Sequence, residues 1–263
     1  MDEARAGVPL RSFACAAHRR PAASRTVAAR APVRAPRLCW ALRLLLLALL
    51  PGAAILPALS ATAQPNRPPA AASVPLSDNA PVIVAFGDSL TAGYGLAEEE
   101  SYPSLLQVRL RQAGYPHRVV NAGASGDTSA GGLARLDWVL QQPVQVLIVC
   151  LGANDGLRGV DPEAMRTNLE AIVVKGRQAG AAVILAGMHL PTNYGPDYTR
   201  RFDAVFPALA RKHKLSFLPF LLEGVAARPG LNQADGIHPN ARGARIVEEN
   251  VWKVLKPVLE RAK

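Results

Sequence analysis

The sequence predicts an α/β protein in which helices cover both faces of a parallel sheet. From residue 81 onward, short apolar runs of strand length alternate with longer stretches of helical character. The apolar runs are continuous, as is typical of strands that are buried on both faces. Strands separated by helices of this length are joined by crossover connections and lie parallel. We therefore expect one doubly wound domain over residues 81–263.

The first half of this domain is assigned three strands and two helices. Residues 82–86 form an uninterrupted apolar run that ends at a glycine, and they are the first strand. A helix follows over 102–113 and is stopped by the next glycine. A second short strand at 117–121, a helix at 131–141 and a third strand at 144–151, which is the most apolar of all, complete this half.

The second half continues the alternation. Pro162 follows Asp161, a good N-cap, and so begins a helix that runs to residue 180. The remaining strands are assigned to 181–186 and 215–218, and the remaining helices to 202–213 and 241–256. In open parallel sheets the ligand lies at the carboxyl ends of the strands. Reactive residues are therefore sought directly after each strand.

The first eighty residues are interpreted as a targeting segment and a tether. An Arg-rich stretch precedes an apolar run over 38–59, and small residues follow it. This order is typical of a secretory signal peptide, with cleavage after residues 61–63 (Ala-Thr-Ala) and Gln64 as the new first residue. We assign 1–63 to the leader and 64–80, rich in Pro and Ala, to a flexible linker. The protein is then expected to be periplasmic or secreted.

A retained membrane anchor is the alternative interpretation of the leader. The stretch 38–63 is long enough to cross a bilayer, but Pro51, Gly52 and Pro57 weaken such a helix. No cysteine follows the apolar run, so a lipoprotein anchor is not supported.

The positive charge of the chain is concentrated outside the predicted domain. Residues 1–80 hold 10 of the 30 basic and 3 of the 20 acidic side chains, a net of +7, so only +3 of the total of +10 remains for 81–263. Without a basic stripe with interleaved aromatic residues, a nucleic-acid partner is not expected. Beyond the leader, Cys150 is the only cysteine, so no internal disulfide forms, and the five histidines have no zinc-like spacing.

Four segments near the strand ends carry residues suited to one chemistry. Ser89 follows the first strand, Gly126 the second and Asn154 the third. Near the last helix, Asp235 precedes His238 by three residues. Taken singly, these residues could be an N-capping serine, two turn residues and a structural loop histidine. Together they supply the nucleophile, the base, its orienting carboxylate and the oxyanion donors that acyl transfer requires.

These segments resemble the four sequence blocks of the SGNH subgroup of GDSL hydrolases. The blocks are Gly-Asp-Ser-Leu at 87–90, Gly126 within 125–128, Gly-x-Asn-Asp at 152–155 and Asp-x-x-His at 235–238. Further likeness at 190–195 and 235–240 is to the branch of bacterial periplasmic arylesterases with lysophospholipase and acyl-thioesterase activity. The resemblance covers about 81–258. It implies a three-layer α/β/α sandwich whose five-stranded parallel sheet has the flavodoxin-like order 2-1-3-4-5.

The resemblance also implies a role for each site residue. Ser89 is the nucleophile, His238 the base and then the acid, and Asp235 its partner. The oxyanion hole consists of the N–H groups of Ser89 and Gly126 and the side-chain amide of Asn154. No metal and no cofactor is implied.

Other polar residues near the strand ends are given lesser roles. By the resemblance, the loop after Asn154 contacts the substrate through Gly156, Leu157 and Arg158. His189 follows the fourth strand and is interpreted as a pocket-rim or structural residue. Two aspartates, Asp88 and Asp127, are interpreted as turn formers and buried hydrogen-bond partners.

The expected function is that of a serine esterase acting on carboxylic esters, as an arylesterase or lysophospholipase with acyl-thioesterase activity. The partner is a small-molecule or lipid ester, with transient contact with a membrane surface, and the protein is expected to be a monomer. Two alternatives stay open. One is an O-deacetylase of envelope carbohydrate with the same fold, and the other is an envelope-binding module without catalysis.

Overall fold

A computed structural model describes residues 79–261 of the chain. It contains one five-stranded sheet in which every strand is parallel to its neighbours, in the order β2-β1-β3-β4-β5. The strands are β1 Val82–Gly87, β2 Arg118–Gly123, β3 Val146–Cys150, β4 Ala182–Ala186 and β5 Ser216–Leu218. The predicted fold class and strand order are therefore confirmed.

Seven α-helices surround the sheet in the described part of the chain. They are α1 Ser89–Ala92, α2 Tyr102–Gln112, α3 Ser129–Val139, α4 Ala153–Leu157, α5 Pro162–Gln178, α6 Pro196–His213 and α7 Ala241–Arg261. Helix α2 packs against α7, and α5 packs between α3 and α6. The two groups form the outer layers of an α/β/α sandwich, and none of these helices is long and apolar enough to span a bilayer.

The register of the sheet brings three strand ends to one level. Gly87, the last residue of β1, pairs with Gly123 of β2 on one side and with Cys150 of β3 on the other. Strands β1 and β3 are buried along their whole length, so their apolar side chains anchor the centre of the core. The loops that leave β1, β2 and β3 consequently start side by side at the carboxyl edge.

Two long helices are longer than predicted. Helix α6 begins at Pro196 rather than at residue 202. The sequence gives no apolar signal for its start, because the first turn is largely exposed and Phe202 is the first fully buried apolar residue of the helix. Helix α7 continues beyond residue 256 through Pro257 to Arg261. A proline inside a helix costs about 3 kcal/mol, but the burial of Val258 and Leu259 contributes roughly 1.5–3 kcal/mol for each.

A small buried polar cluster lies beneath α1. Tyr102 Oη is 3.1 Å from Thr91 Oγ1 and 3.4 Å from Cys150 Sγ. Burial raises the pKa of the Cys150 thiol to about 12. This cysteine is therefore a satisfied, protonated core residue, as its apolar strand predicted.

The predicted leader, its cleavage site and all but the last residues of the linker lie outside the described residues. The assignments of 1–63 and 64–80 therefore stay predictions.

Candidate active site

The candidate nucleophile begins a short helix directly after the central strand. Strand β1 ends at Gly87, Asp88 caps α1, and Ser89 is the first residue of that helix. The Asp88 carboxylate accepts a hydrogen bond from the Leu90 N–H at 3.0 Å. A Cβ on Gly87 would lie 2.1 Å from Thr91 Oγ1, so glycine is required for the helix to fold back this closely. The turn places Ser89 at the carboxyl edge of the sheet.

His238 contacts Ser89 from the loop that precedes α7, and Asp235 of the same loop contacts His238. His238 Nε2 lies 2.8 Å from Ser89 Oγ, and its Nδ1 lies 2.7 Å from Asp235 Oδ2. The other carboxylate oxygen of Asp235 accepts hydrogen bonds from the backbone N–H groups of Ile237 and His238 at 2.9 and 3.0 Å. These backbone bonds, followed by the His238 ring, lower the pKa of Asp235 to about 2. The ionised carboxylate holds the ring with one nitrogen toward the serine.

Hydrogen bonds of neighbouring residues join the segments that carry the three predicted oxyanion donors. Asn154 Nδ2 donates to the Asp127 carbonyl at 2.9 Å and lies 3.4 Å from the Asp88 carboxylate. Asp127 follows Gly126 in the chain, and Asp88 precedes Ser89. Gly126 itself has a φ of 83°, a left-handed conformation that favours glycine.

Asp88 is a buried carboxyl group beside the nucleophile. The residue is 1% exposed, and this burial raises the pKa of its carboxyl to about 6, against the lowering effects of the Leu90 N–H and of His238. The expectation that Asp88 is a turn former and buried hydrogen-bond partner agrees with its N-capping bond. Asp127 also accepts a hydrogen bond, from Arg135 Nε to its carboxylate at 2.5 Å, but its side chain is 20% exposed and not buried as expected.

The segment expected to be a substrate loop is instead the end of helix α4 followed by Arg158, and it is partly buried and partly exposed. Gly156 is buried, and a Cβ there would lie 2.5 Å from Leu190 Cδ2, whereas Leu157 and Arg158 are exposed. Arg158 Nη2 donates to the Gly126 carbonyl at 2.8 Å, which fixes the end of this segment beside a predicted oxyanion donor.

His189 is outside the hydrogen-bonded line of Ser89, His238 and Asp235. Its Nδ1 lies 3.0 Å from Asp203 Oδ2, and its ring packs 4.7 Å from the ring of Phe220. The contacts agree with the structural role that was expected. Among residues 79–261, no group of three or more His, Cys, Asp or Glu side chains is arranged to hold a metal ion.

Three residues that contact the site were not predicted from the sequence to have a role there. The Tyr94 ring lies 4.7 Å from the His238 ring. Gln233 Nε2 donates to the Tyr94 carbonyl at 2.6 Å and to the Pro239 carbonyl at 3.0 Å, and Arg135 Nη2 donates to the carbonyl of Gly87 at 2.9 Å. The position of Gln233 two residues before Asp235 is a signal that could have indicated it, whereas nothing in the pattern of α3 distinguishes Arg135.

Known proteins share both the sequence and the fold. The chain is 48% identical to the esterase TesA of Pseudomonas aeruginosa over 181 residues, which cover 68% of this chain and 90% of that one. It is 39% identical to the thioesterase 1/protease 1/lysophospholipase L1 of Escherichia coli K12 over 182 residues, covering 68% and 86%. It is 38% identical to an arylesterase of Vibrio mimicus over 174 residues, covering 66% and 87%.

Two solved structures of esterases are also similar to the chain in sequence and fold. A crystal structure of TesA matches with a TM-score of 0.66 at 46% identity, over 67% of this chain and 99% of that one. The psychrotrophic esterase EstA of Pseudoalteromonas sp. matches with a TM-score of 0.65 at 35% identity, over 68% and 98%. The model of the GDSL-like lipase/acylhydrolase family matches residues 85–246. The chain therefore belongs to the GDSL/SGNH hydrolase family and is a hydrolase that acts on ester bonds.

Proposed function

We propose that the chain is a serine esterase that hydrolyses carboxylic esters through an acyl-enzyme on Ser89. The observation that carries the proposal is the unbroken hydrogen-bonded line from Ser89 through His238 to Asp235, with distances of 2.8 and 2.7 Å. Nucleophile, base and orienting carboxylate in this order are the arrangement of a catalytic triad.

The first step is the acylation of Ser89. As the serine oxygen attacks the ester carbonyl, His238 Nε2 takes the hydroxyl proton, and the Asp235 carboxylate stabilises the imidazolium that forms. The carbonyl oxygen becomes an oxyanion, which accepts hydrogen bonds from the N–H groups of Ser89 and Gly126 and from the Asn154 amide. The tetrahedral intermediate then collapses, and the imidazolium gives its proton to the departing alcohol.

The same groups complete the cycle in the second step. Water attacks the acyl carbonyl while His238 takes one of its protons, and the oxyanion again forms opposite the three donors. Collapse of this intermediate releases the carboxylic acid, and the proton returns from His238 to Ser89 Oγ. The long 3.4 Å contact of Asn154 with Asp88 is the one that a substrate oxygen replaces.

Arylesters, lysophospholipids and acyl thioesters are the proposed substrate classes, because similar proteins bear the names arylesterase, lysophospholipase and thioesterase. Leu157 and Arg158 are both exposed, and Arg158 donates to the Gly126 carbonyl, which supports substrate contact by this segment. Tyr94 and Ile237 are 54% and 49% exposed, and each adjoins His238 in space or in the chain. They support transient contact with a lipid surface, which would appear as faster turnover of an aggregated than of a dispersed ester.

The test is hydrolysis of a series of p-nitrophenyl esters, from acetate to palmitate, by the parent protein and by Ser89→Ala. We expect the parent to turn over and the variant to lose activity by a factor on the order of 10⁴ or more, because no other nucleophile replaces the serine. Ser216→Ala, on β5, is the matched control and should retain activity.

Each outcome of this test has a definite meaning. Cleavage of acetate alone would favour the O-deacetylase, whereas cleavage of longer esters supports the lipid-type esterase. Activity that survives Ser89→Ala in folded protein would contradict the mechanism. A folded parent without any activity would favour the binding module instead.

A further inference from the structure

The three donors of the proposed oxyanion hole come from separate segments of the chain. Ser89 lies in α1, Gly126 in the loop after β2 and Asn154 in α4. Their useful geometry depends on the spacing between these segments, since a displacement of about 1 Å in a reacting group can cost on the order of 100-fold in rate. The sheet aligns the strand ends, but each loop extends beyond the last pair of the ladder.

One guanidinium group bridges two of these segments. Arg135 of α3 donates from Nη2 to the Gly87 carbonyl at 2.9 Å and from Nε to Asp127 Oδ2 at 2.5 Å. Its Cζ lies 4.3 Å from the centroid of the Phe86 ring, a distance at which a cation is attracted to the aromatic face. The planar fork of arginine is thus fixed on three sides, with one contact on the nucleophile segment and one on the Gly126 loop.

Asp127 extends this bridge to the third segment. Its carboxylate accepts the hydrogen bond from Arg135, and its backbone carbonyl accepts one from the Asn154 amide at 2.9 Å. The carbonyl of Gly87 also accepts the Ala124 N–H at 2.9 Å. A continuous path of hydrogen bonds therefore joins the strand end before Ser89, the loop of Gly126 and the side chain of Asn154.

We propose that Arg135 is the positioning residue of the oxyanion hole, which sets the mutual spacing of its three donors through Gly87 and Asp127. The proposal rests on the proposed function above. Arg135 contacts none of the reacting atoms, so its effect is on the stabilisation of the transition state rather than on ground-state binding. Lysine cannot replace it, because an ammonium group lacks the planar fork that reaches both acceptors.

The chain offers a matched control at Arg109. Arg109 Nη2 donates to the Glu248 carboxylate at 2.8 Å, and its Cζ lies 5.8 Å from the Trp252 ring. It thus has the same chemistry as Arg135, an ion pair and an aromatic face, but it joins α2 to α7. A purely structural arginine should behave like Arg109.

The experiment compares Arg135→Lys with Arg109→Lys by kcat, KM and the urea midpoint of unfolding. We expect Arg135→Lys to lower kcat by roughly 10- to 100-fold with little change in KM, and Arg109→Lys to leave kcat within about twofold. Asp127→Asn is a second variant and should lower kcat in the same way. In Arg135→Ala, millimolar guanidinium should raise kcat, and equal urea should not.

The outcomes separate the two proposals. An active parent whose kcat falls in both the Arg135 and Asp127 variants but not in Arg109→Lys supports the positioning role. An active parent whose kcat is unchanged in Arg135→Lys, or falls equally in Arg109→Lys, overturns that role alone. If Arg135→Lys does not fold, Asp127→Asn and the rescue of Arg135→Ala decide in the same way. An inactive parent overturns the proposed function, and this proposal with it.

Discussion

At the scale of single residues, two aspartates beside the site have opposite environments. Asp235 is partly exposed and accepts two backbone hydrogen bonds and one from His238, which lower its pKa to about 2. Asp88 is buried, and desolvation raises its pKa to about 6. Asp235 is therefore ionised over the whole range in which histidine chemistry operates, whereas Asp88 changes charge within that range.

The raised pKa of Asp88 makes a prediction about stability. Between pH 4 and pH 6 the folded state keeps a proton that the unfolded state releases, so the free energy of unfolding falls as the pH rises through this window. Asp88→Asn cannot ionise, so it removes this fall in the free energy of unfolding, and it keeps a side-chain oxygen that accepts the Leu90 N–H. We expect the variant to be more stable than the parent at pH 7, by up to about 3 kcal/mol, with the difference disappearing near pH 4.

Urea unfolding of both proteins from pH 3.5 to pH 8 measures this difference. A constant offset between the two proteins at every pH would show that packing, and not the charge of Asp88, is responsible.

At the scale of elements, the long helices and the strands were predictable, but the shortest helices were not. Helices α1 and α4 have 4 and 5 residues, too few to show a 3.6-residue period. They depend on local backbone conditions, namely the carboxylate cap of Asp88 and the φ of 115° at Gly152. Both helices carry site residues. The type of chemistry could therefore be predicted from residue type and order, while the short helices that position these residues could not.

The residues of the candidate site also differ in how far the sequence can predict them. Ser89, His238 and Asp235 were predicted to act together because these residue types, at a strand end and in one late loop, fit a single reaction, and in the structure they are joined by hydrogen bonds. Arg135 could not be predicted, since the Gly87 carbonyl and the Asp127 carboxylate to which it donates are brought to it only by folding. For Gln233 the only signal is its position two residues before Asp235, because its bond to the Tyr94 carbonyl exists only in the folded chain.

The loop before α7 is held by Gln233, which gives an element-scale prediction. Its amide donates to the Tyr94 and Pro239 carbonyls, and its own N–H donates to the His238 carbonyl at 2.7 Å. Loss of the amide in Gln233→Ala should loosen the histidine loop and lower kcat by about 10-fold or more. Gln142→Ala is the control, because Gln142 bonds Arg118 at the start of β2, away from the carboxyl edge.

Steady-state kinetics with one p-nitrophenyl ester decide this point. Equal kcat values for Gln233→Ala and Gln142→Ala would mean that the loop holds its position without the glutamine.

At the scale of the whole molecule, the chemistry depends on the sheet. Residues 89 and 238 are 149 positions apart in the chain, yet they touch because β1 is central and the loop before α7 returns to its carboxyl end. Both residues lie within 79–261, so we predict that a protein beginning at Gln64 hydrolyses esters as the full chain does.

We propose that the protein is exported and acts in the periplasm or outside the cell, as a monomer, after cleavage of the leader. The supporting observation is the order of basic, apolar and small residues before Gln64. Native mass spectrometry of the exported protein should give the mass of one chain that begins at Gln64. The mass of the full-length chain would instead favour the retained anchor, and a doubled mass would contradict the monomer.

The burial of Cys150 has a practical consequence. Thiol reagents attack the thiolate, and a group whose pKa is about 12 in the core is protected from them. Cys15 and Cys39 belong to the predicted leader, so the mature enzyme would carry no accessible thiol. A single cysteine introduced at the exposed Trp138 of α3 would then be a unique handle for a fluorophore or for attachment to a solid support, without prior removal of any native thiol.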